Sequence, residues 1–443
     1  MSQLTRDEDD VTSFQRPPSP PPHTTFAARG IHPPTFSAFK PRDYRYPSPH
    51  SFQHLAWNCD GKKLAVVGID KAVRIWNPEK SLEPRQASVY SGAHSDDIDH
   101  ISWNPTHPEL FCTSSQRDRR IVFWDARQSR HIQSVPLKFT PSETCYSPNG
   151  RHLLCASPNK HTYFLELTRG PDETKETWKC REVPPAAPAA TQNSQSQSQN
   201  QNQEQTSSNN NSNANANGTP APAPTVPAAP AIPTGPAAMR DREASTSTSG
   251  PTQNQSQSQS QQPQPQPGTL LSIPGVTGIF NHTGDGVVTS YPYLNTIFLF
   301  DYPACQPFGD EFGQLPAHVG GCAAFALDPR GTYLATGGTD SIVNLFDTND
   351  WLCTRTITVC EHAINKLSFS HDGEYLAIAS DGPYIDIAAV ETCQPLHRIP
   401  ALGPCMSVAW HPSRYVLAYC GQTKSREGGP PPTAVISTFG MLD

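Results

Sequence analysis

Three residue types that build a hydrolytic triad lie within one short stretch of the chain: His94, Ser114 and Asp118. In such a triad the imidazole takes the serine proton and the carboxylate orients the imidazole. No Gly-x-Ser-x-Gly turn surrounds this serine, and no oxyanion-hole sequence accompanies it. A buried carboxylate also needs hydrogen-bond donors, which an imidazole and a hydroxyl supply. These residue types therefore also suit a structural role, and the sequence does not support catalysis by them.

The sequence also lacks the usual motifs of metal-binding, redox and other catalytic sites. The 12 cysteines include no Cys-x-x-Cys pair, so zinc and thioredoxin-like chemistry lack their usual pattern. We find no paired-carboxylate, metal or nucleotide-binding motif, which predicts a protein that is not an enzyme and needs no cofactor or small-molecule substrate. Scattered thiols favour a reducing compartment, the cytosol or the nucleus. No apolar run of membrane-spanning length is present, so no membrane partner is expected.

The composition divides the chain into folded and unfolded parts. With 47 prolines and only 35% hydrophobic residues, it departs from that of a compact protein. Residues 184–268, rich in Gln, Asn, Ser and Pro, are predicted to be a disordered insert, with a prion-like element as the alternative. Residues 1–44 are predicted to be a disordered Pro-rich tail, or alternatively a PxxP ligand. Residues 45–183 and 269–443 remain as the folded region.

A repeated layout runs through this folded region. Each unit starts with a short apolar strand that ends at an aromatic or leucine anchor, followed by a polar turn, a second strand, a tight turn and a β-branched strand. The seven anchors are Trp57, Trp103, Tyr146, Phe280, Leu327, Phe369 and Trp410. Neighbouring anchors lie 41 to 47 residues apart, except for 134 between the third and the fourth, where removing the 85 residues of the insert leaves 49.

This period predicts an all-β, seven-bladed β-propeller. Three strands are visible in each unit, and the remaining spacing implies a fourth. A single blade cannot bury both of its faces, so it is stable only when stacked on its neighbours. The seventh unit has no chain left for a fourth strand. We therefore expect a segment near residues 45–52 to supply this strand and to close the ring without an open edge.

At this level of detail the units resemble WD40 repeats. In the second unit, Gly92 and His94 stand for the Gly-His element of that family, and Trp124 with the following Asp stands for its Trp-Asp pair. The resemblance implies one side-chain network that links the outer loop, the inner strands and the tight turn, formed by His94, Ser114, Asp118 and Trp124. The sixth unit departs from the pattern, with Gly382 at the turn Asp and Ala388 at the Trp position, so we expect it to depend more on packing.

A closer resemblance extends over the whole folded region. Segments such as "HSDDIDHISWNPTHPELFCTSS" and "YIDIAAVETCQPLHRI" are similar to the WD-repeat subunits of the THO complex, the nuclear assembly that couples transcription to mRNA packaging and export as part of TREX. The resemblance implies a non-enzymatic nuclear scaffold that docks onto a large helical THO subunit and contacts RNA only indirectly or weakly. The alternative is a WD40 adaptor of another nuclear assembly, such as a chromatin complex or a ubiquitin-ligase substrate receptor.

Candidate partner-binding residues follow from the alternation of turns in a meander sheet. In the second unit, one face of the ring receives Asp96, Asp97, Asp99, Arg117 and Arg119. The opposite face receives Arg127 and Arg130. Arginines that are neighbours in sequence are thus split in space, and the net charge of −7 is mild. Because phosphate binding requires several cations on one surface, a strong nucleic-acid-binding patch is not expected.

Overall fold

The computed structural model describes residues 16–46, 51–169, 176–183, 269–309, 313–423 and 432–440. Nearly all regular structure in these ranges is β-strand, as the sequence predicted. The helices among these residues are three short 3-10 turns, Ala27–Arg29, Phe36–Ala38 and Pro84–Gln86. The predicted disordered insert, 184–268, lies outside the described residues.

The strands of the first half of the chain form three complete blades and one strand of another. Strand β1 is Arg42–Tyr46. Blade one consists of β2 (Phe52–Trp57), β3 (Leu64–Gly68), β4 (Val73–Trp76) and β5 (Ser88–Tyr90). Blade two consists of β6 (His100–Trp103), β7 (Leu110–Ser115), β8 (Arg120–Asp125) and β9 (His131–Pro136). Blade three consists of β10 (Thr144–Tyr146), β11 (His152–Ser157), β12 (His161–Arg169), β13 (Glu176–Cys180) and β14 (Ser272–Pro274).

The second half supplies the other four blades. Blade four consists of β15 (Thr277–Phe280), β16 (Gly286–Ser290), β17 (Thr296–Asp301) and β18 (Gln314–Pro316). Blade five consists of β19 (Cys322–Leu327), β20 (Tyr333–Gly338), β21 (Val343–Asp347) and β22 (Cys353–Ile357). Blade six consists of β23 (Ile364–Phe369), β24 (Tyr375–Ser380), β25 (Tyr384–Ala389) and β26 (Pro395–Pro400). Blade seven consists of β27 (Cys405–Trp410), β28 (Leu417–Gln422), β29 (Ala434–Phe439) and β1.

The blades close into a ring around a central channel. The first strand of each blade contacts the first strand of the next, from β2 through β6, β10, β15, β19, β23 and β27, and β27 contacts β2 again. This arrangement confirms the predicted seven-bladed propeller. We call the face that carries the loops between blades and the turns between second and third strands the loop face. The opposite face carries the remaining turns, and we call it the strap face after the segment that crosses it.

Seven apolar clusters form the core, one at each interface between neighbouring blades. Strand β24 shows how the sequence fills two of them, because successive side chains of a strand point to opposite faces. Leu376 and Ile378 pack toward blade five, whereas Tyr375 and Ala377 pack toward blade seven. A strand that is buried on both faces reads as a continuous apolar run, which explains why "YLAIAS" shows no alternation.

The ring closes by pairing the two ends of the described chain. Strand β1 pairs antiparallel with β29, with Arg42 opposite Thr438 and Tyr46 opposite Ala434. The Tyr46 ring is buried in the interface between blades seven and one, and its hydroxyl donates to the carbonyl of Leu82. The predicted closure is thus confirmed, although the strand starts at residue 42, three residues before the segment that we expected.

The Pro-rich stretch before β1 requires a correction. The sequence predicted a disordered tail over residues 1–44. Residues 1–15 lie outside the described part of the chain. Residues 16–39, in contrast, pack across blades five to seven. We call residues 16–39 the strap. Phe36 enters the core between blades six and seven, where its ring lies 5.2 Å from Tyr375 and 6.4 Å from Trp410. Prolines set an extended backbone there, and the aromatic residues between them bind to a surface that composition alone does not reveal.

Ion pairs fasten the strap to the same face. The Arg29 guanidinium makes two hydrogen bonds, of 2.6 and 2.7 Å, to the carboxylate of Glu374 in the turn between β23 and β24. These bonds raise the pKa of Arg29. Arg330 of blade five also donates to Glu374, so this carboxylate is shared by two cations from different segments. The backbone N–H of His23 donates to Glu391, 3.3 Å away.

The chain on either side of residues 184–268 meets at the outer edge of blade three. Strand β13 pairs with the second half of β12, and β14 pairs with the first half. Between them Glu182 and Leu270 form a bridge, and the N–H of Val183 donates to the carbonyl of Thr269. Residues 184–268 thus fall between the fourth strand of blade three and the first strand of blade four, as the sequence predicted, and the chain adds β14 to the edge of blade three before it enters blade four.

Candidate functional site

The network predicted in blade two is present, with one member exchanged. His94, in the loop that enters the blade, places its Nδ1 2.8 Å from Asp118 Oδ2, in the turn between β7 and β8. Its Nε2 lies 2.8 Å from the Oγ1 of Thr113. The Trp124 indole N–H donates to the same hydroxyl over 2.9 Å. One chain of hydrogen bonds thus links the outer loop, the tight turn and two strands.

One order of donors and acceptors satisfies every member of this chain. The indole can only donate, so the Thr113 hydroxyl accepts from Trp124, and in this order it donates its own proton to Nε2 of His94. The Nδ1–H of His94 then donates to Asp118. Burial would raise the pKa of Asp118, but the hydrogen bond from His94 and those from the backbone N–H groups of Ser95 and Arg120 hold it below its ordinary value. The carboxylate therefore stays ionised at neutral pH and anchors the turn.

Ser114, which the sequence assigned to this network, takes no part in it. Its hydroxyl donates instead to the carbonyl of Ser142 in blade three, 3.1 Å away. Successive strand residues point to opposite faces of the sheet, so Thr113 and Ser114 cannot share a partner. Both side chains are fully buried. A hydroxyl without access to solvent cannot attack a substrate, which agrees with the structural interpretation of these residues.

Blade five contains an equivalent network that the sequence analysis missed. His318 Nε2 lies 2.9 Å from Thr336 Oγ1, and its Nδ1 lies 3.1 Å from Asp340 Oδ1. Phe346 occupies the position of the tryptophan, so the indole donor is missing. The sequence contains a spacing that could have identified this network. The His and the Asp are 22 residues apart in blade five, and the corresponding residues are 24 apart in blade two.

Blade six, which the sequence predicted to depend more on packing, also contains an ion pair. Arg398 on β26 donates to both oxygens of the buried Asp386 on β25, over 2.7 and 3.2 Å. These bonds raise the pKa of Arg398. The same guanidinium lies over the Tyr384 ring, 3.9 Å from its centre, and also donates to Glu361. The aspartate of the "YIDIAAV" sequence is thus a buried acceptor that joins two strands of the blade.

The predicted charges of blade two are divided between the faces as expected from topology. On the loop face, Arg117 lies 3.5 Å from Asp96 and 3.4 Å from Asp97. Asp99 accepts the backbone N–H of Gln116 over 2.7 Å, and burial raises the pKa of its carboxyl group. Arg119 occupies the left-handed position of the tight turn. The carboxylates of this loop thus bind one arginine and hold the backbone of the turn.

On the strap face, Arg127 and Arg130 follow the end of β8. The Arg127 guanidinium donates twice to Asp125, over 2.9 and 2.7 Å, while most of its side chain stays in solvent. Arg130 is exposed. The two arginines are therefore separated by the length of β8 from Arg117, and the seven candidate residues form two sets rather than one surface.

The central channel contains a further polar cluster that the sequence did not predict. Lys366 of blade six reaches Glu143 at the entry of blade three, 3.2 Å away, and the hydroxyl of Thr277 donates to the same carboxylate over 2.8 Å. His54 and His100 stack beside them with ring centres 3.8 Å apart. Burial, with the nearby charge of Lys366, lowers the pKa of both imidazoles well below the ordinary value. Both are therefore neutral at neutral pH.

Among the described residues, no group of three or more His, Cys, Asp or Glu side chains is placed to hold a metal ion. The same part of the chain contains no helix of the length and apolarity that a membrane crossing requires.

Sequence comparison identifies the repeats. Four segments, 47–77, 86–125, 309–347 and 351–382, match the WD40 family, described as "WD domain, G-beta repeat". They cover strands of blades one, two, four, five and six, which include both blades with the His–Asp network.

Individual relatives match over most of the chain. THO complex subunit 3 of Arabidopsis thaliana is 26% identical over 373 residues, which is 84% of this chain and 86% of that protein. WD repeat-containing protein AAC3 of Dictyostelium discoideum is 22% identical over 85% of this chain, and the match spans 63% of its own length. Among solved structures, the beta-propeller domain of Myceliophteria thermophila Cps50 (Swd1) superposes with a TM-score of 0.57 at 14% identity, covering 90% of this chain and 99% of that chain. At this identity the last match shows the fold alone.

Proposed function

We propose that this WD40-repeat propeller is a scaffold subunit of a THO complex and acts without catalysis in transcription-coupled mRNP assembly and nuclear mRNA export within TREX. The observation that carries the proposal is the alignment with THO complex subunit 3 of Arabidopsis thaliana, which covers 84% of this chain and 86% of the relative. A match confined to the repeats of one or two blades would reflect only the shared fold. A match along both chains supports a common architecture and a common role.

The geometry supports a role in protein binding. The hydroxyl, imidazole and carboxylate groups of the blade-two network are buried and bonded to one another, so they position loops and offer nothing to a substrate. The strap occupies the strap face of blades five to seven, where Arg29 and Phe36 hold it. In our proposal a large helical THO subunit docks on the loop face, and RNA is contacted indirectly or weakly.

Affinity purification of the tagged chain from nuclear extract tests the proposal. We expect the large THO subunits to co-purify. Recovery of histone-modifying or cullin components without THO subunits would instead favour the alternative, a WD40 adaptor of a chromatin complex or of a ubiquitin ligase. A cytosolic distribution of the tagged chain would contradict the proposed nuclear role.

A matched pair of charge reversals tests the docking face. Arg117 and Arg130 are both exposed arginines of blade two, but they lie on opposite faces of the ring. We expect Arg117→Glu to reduce recovery of the THO subunits, because it places a negative charge beside Asp96 and Asp97 in the proposed interface. Arg130→Glu should leave recovery unchanged. Loss of recovery with Arg130→Glu alone would move the interface to the strap face.

A further inference from the structure

A cleft of about 330 Å³ opens between blades four and five on the strap face. Its walls include Leu299 and Phe300 of β17, the loop residue Phe308 and, across from them, Trp351 of blade five. Phe308 is 57% exposed, although large apolar side chains normally avoid water. Leu352, next to Trp351, is 62% exposed. The cleft therefore has apolar walls, and one of the wall residues, Phe308, is largely exposed.

Carboxylates are the only charged groups among the described lining residues of this cleft. Asp285 and Asp301 line it, and the described lining residues include no lysine and no arginine. Hydrogen bonds from the side chains of Thr283 and Asn281 lower the pKa of Asp285, so this carboxylate is ionised at neutral pH. Asp301 accepts the backbone N–H of Gln306. The surface thus combines aromatic rings with negative charge that no cation in its lining neutralises.

We propose that this cleft binds a short segment of a partner protein that presents one large apolar side chain next to a lysine or an arginine. The volume is at the lower end of ligand-binding cavities, which suits a side chain with its neighbour rather than an extended ligand. The apolar side chain displaces water from Phe308 and Trp351. The cation is attracted by the two carboxylates and by the faces of the aromatic rings. This proposal does not depend on whether the propeller belongs to a THO complex or to another assembly.

The residues that precede the strap are the first alternative occupant. Arg16, where the described chain begins, lies beside Gly331 in the turn between β19 and β20, close to the cleft. The sequence before it contains "RDEDD" at residues 6–10, with four acidic residues and one arginine. Like charges repel, so this segment is a poor partner for Asp285 and Asp301. Charge complementarity therefore favours a basic segment from another protein.

Selection from a library of random nine-residue peptides displayed on phage, with the full-length chain as bait, tests the proposal. We expect enrichment of Lys or Arg next to Leu, Phe or Trp. The best selected peptide, synthesised with a fluorescent label, should bind about tenfold more weakly to Phe308→Ser and to Asp301→Asn, since a tenfold loss corresponds to one lost contact of ordinary strength. Asparagine keeps the acceptor for Gln306, so the loop stays intact.

Matched controls come from the loop face, where Val319 is exposed and Asp381 accepts from Asn365. Val319→Ser and Asp381→Asn should leave binding unchanged. The proposal is overturned if no peptide is enriched, if the enriched peptides lack basic residues, or if Phe308→Ser binds like the unmodified chain. It is also overturned if deletion of residues 1–15 strengthens binding tenfold, or if Phe308→Ser abolishes a dimer in solution, because the cleft would then hold this chain's own terminus or a second copy. These assays contain no THO subunit, so their failure is distinguishable from failure of the proposed function.

Discussion

Phe36→Ala removes the largest side chain with which the strap enters the core. The Phe36 ring is 95% buried, since only 5% of its surface is exposed. It lies 5.2 Å from Tyr375 and 6.4 Å from both Trp410 and Phe439, measured between ring centres. Truncation of a buried phenylalanine to alanine costs about 3 to 5 kcal/mol, because apolar burial is lost and a cavity remains. We expect the full loss in the free energy of unfolding only if the strap is packed on the folded ring.

The cost is measurable as a change in melting temperature. For domains of 150 to 250 residues, 1 kcal/mol shifts the melting temperature by about 2 to 4 °C, so Phe36→Ala should lower it by roughly 6 to 20 °C in a calorimetric scan. Phe308→Ala is the matched control, since that ring is mostly exposed, and it should change the melting temperature little. A loss below about 2 °C for Phe36→Ala would refute the reasoning, because the strap would then add no stability to the ring.

Three further outcomes are expected. Asp118→Ala should cost about 1 to 3 kcal/mol in urea unfolding, because buried His94 loses its acceptor; a folded variant of full stability that has lost a partner would show a surface role instead. Replacing residues 184–268 with ten Gly/Ser residues should preserve complex recovery and should not lower the melting temperature, because shortening a flexible loop about eightfold relieves only about 2 kcal/mol of closure entropy; a folded protein that drops out of the complex would place the binding determinant in that segment. The folded-state pKa values of His54 and His100 are lowered, so their contribution to stability is present above the ordinary histidine pKa near 6.5 and is lost as the pH falls below it; melting curves from pH 7.5 to 5 should show this loss, and a His54→Gln/His100→Gln variant with an equally steep dependence would contradict the assignment.

The repeats were predictable because every blade has the same order of strands and turns, which produces a recurring pattern in the sequence. Strand, turn and anchor recur at a nearly constant spacing, and stacking requires an apolar residue on both faces of the inner strands. The network of blade two was predictable only in part. Thr113 and Ser114 are adjacent hydroxyls, and only the strand register determines which of them points toward His94. The spacing of the repeat is not precise enough to fix that register.

The strap and the outer edge of blade three were not predictable for a different reason. Phe36 and Arg29 are single residues in a Pro-rich stretch, and they become ordered only because Tyr375 and Glu374, more than 300 positions away in the chain, form their binding sites. Strand β14 has three residues, too few for a periodic pattern. In both cases the conformation of the segment depends on the tertiary surface to which it binds. The local composition of the segment does not reveal that surface.

Closure of blade seven has a consequence for synthesis on the ribosome. Asp43 of β1 and Ser437 of β29 are joined by a hydrogen bond although they lie 394 residues apart. At a translation rate of about 5 to 20 residues per second, β1 leaves the ribosome roughly 20 to 80 s before its partner strand has been made. During that interval the edge of β1 that pairs with β29 has no native partner, and an unpaired strand edge is a template for aggregation. Nascent chains of this protein therefore need protection at β1 until residue 439 has emerged.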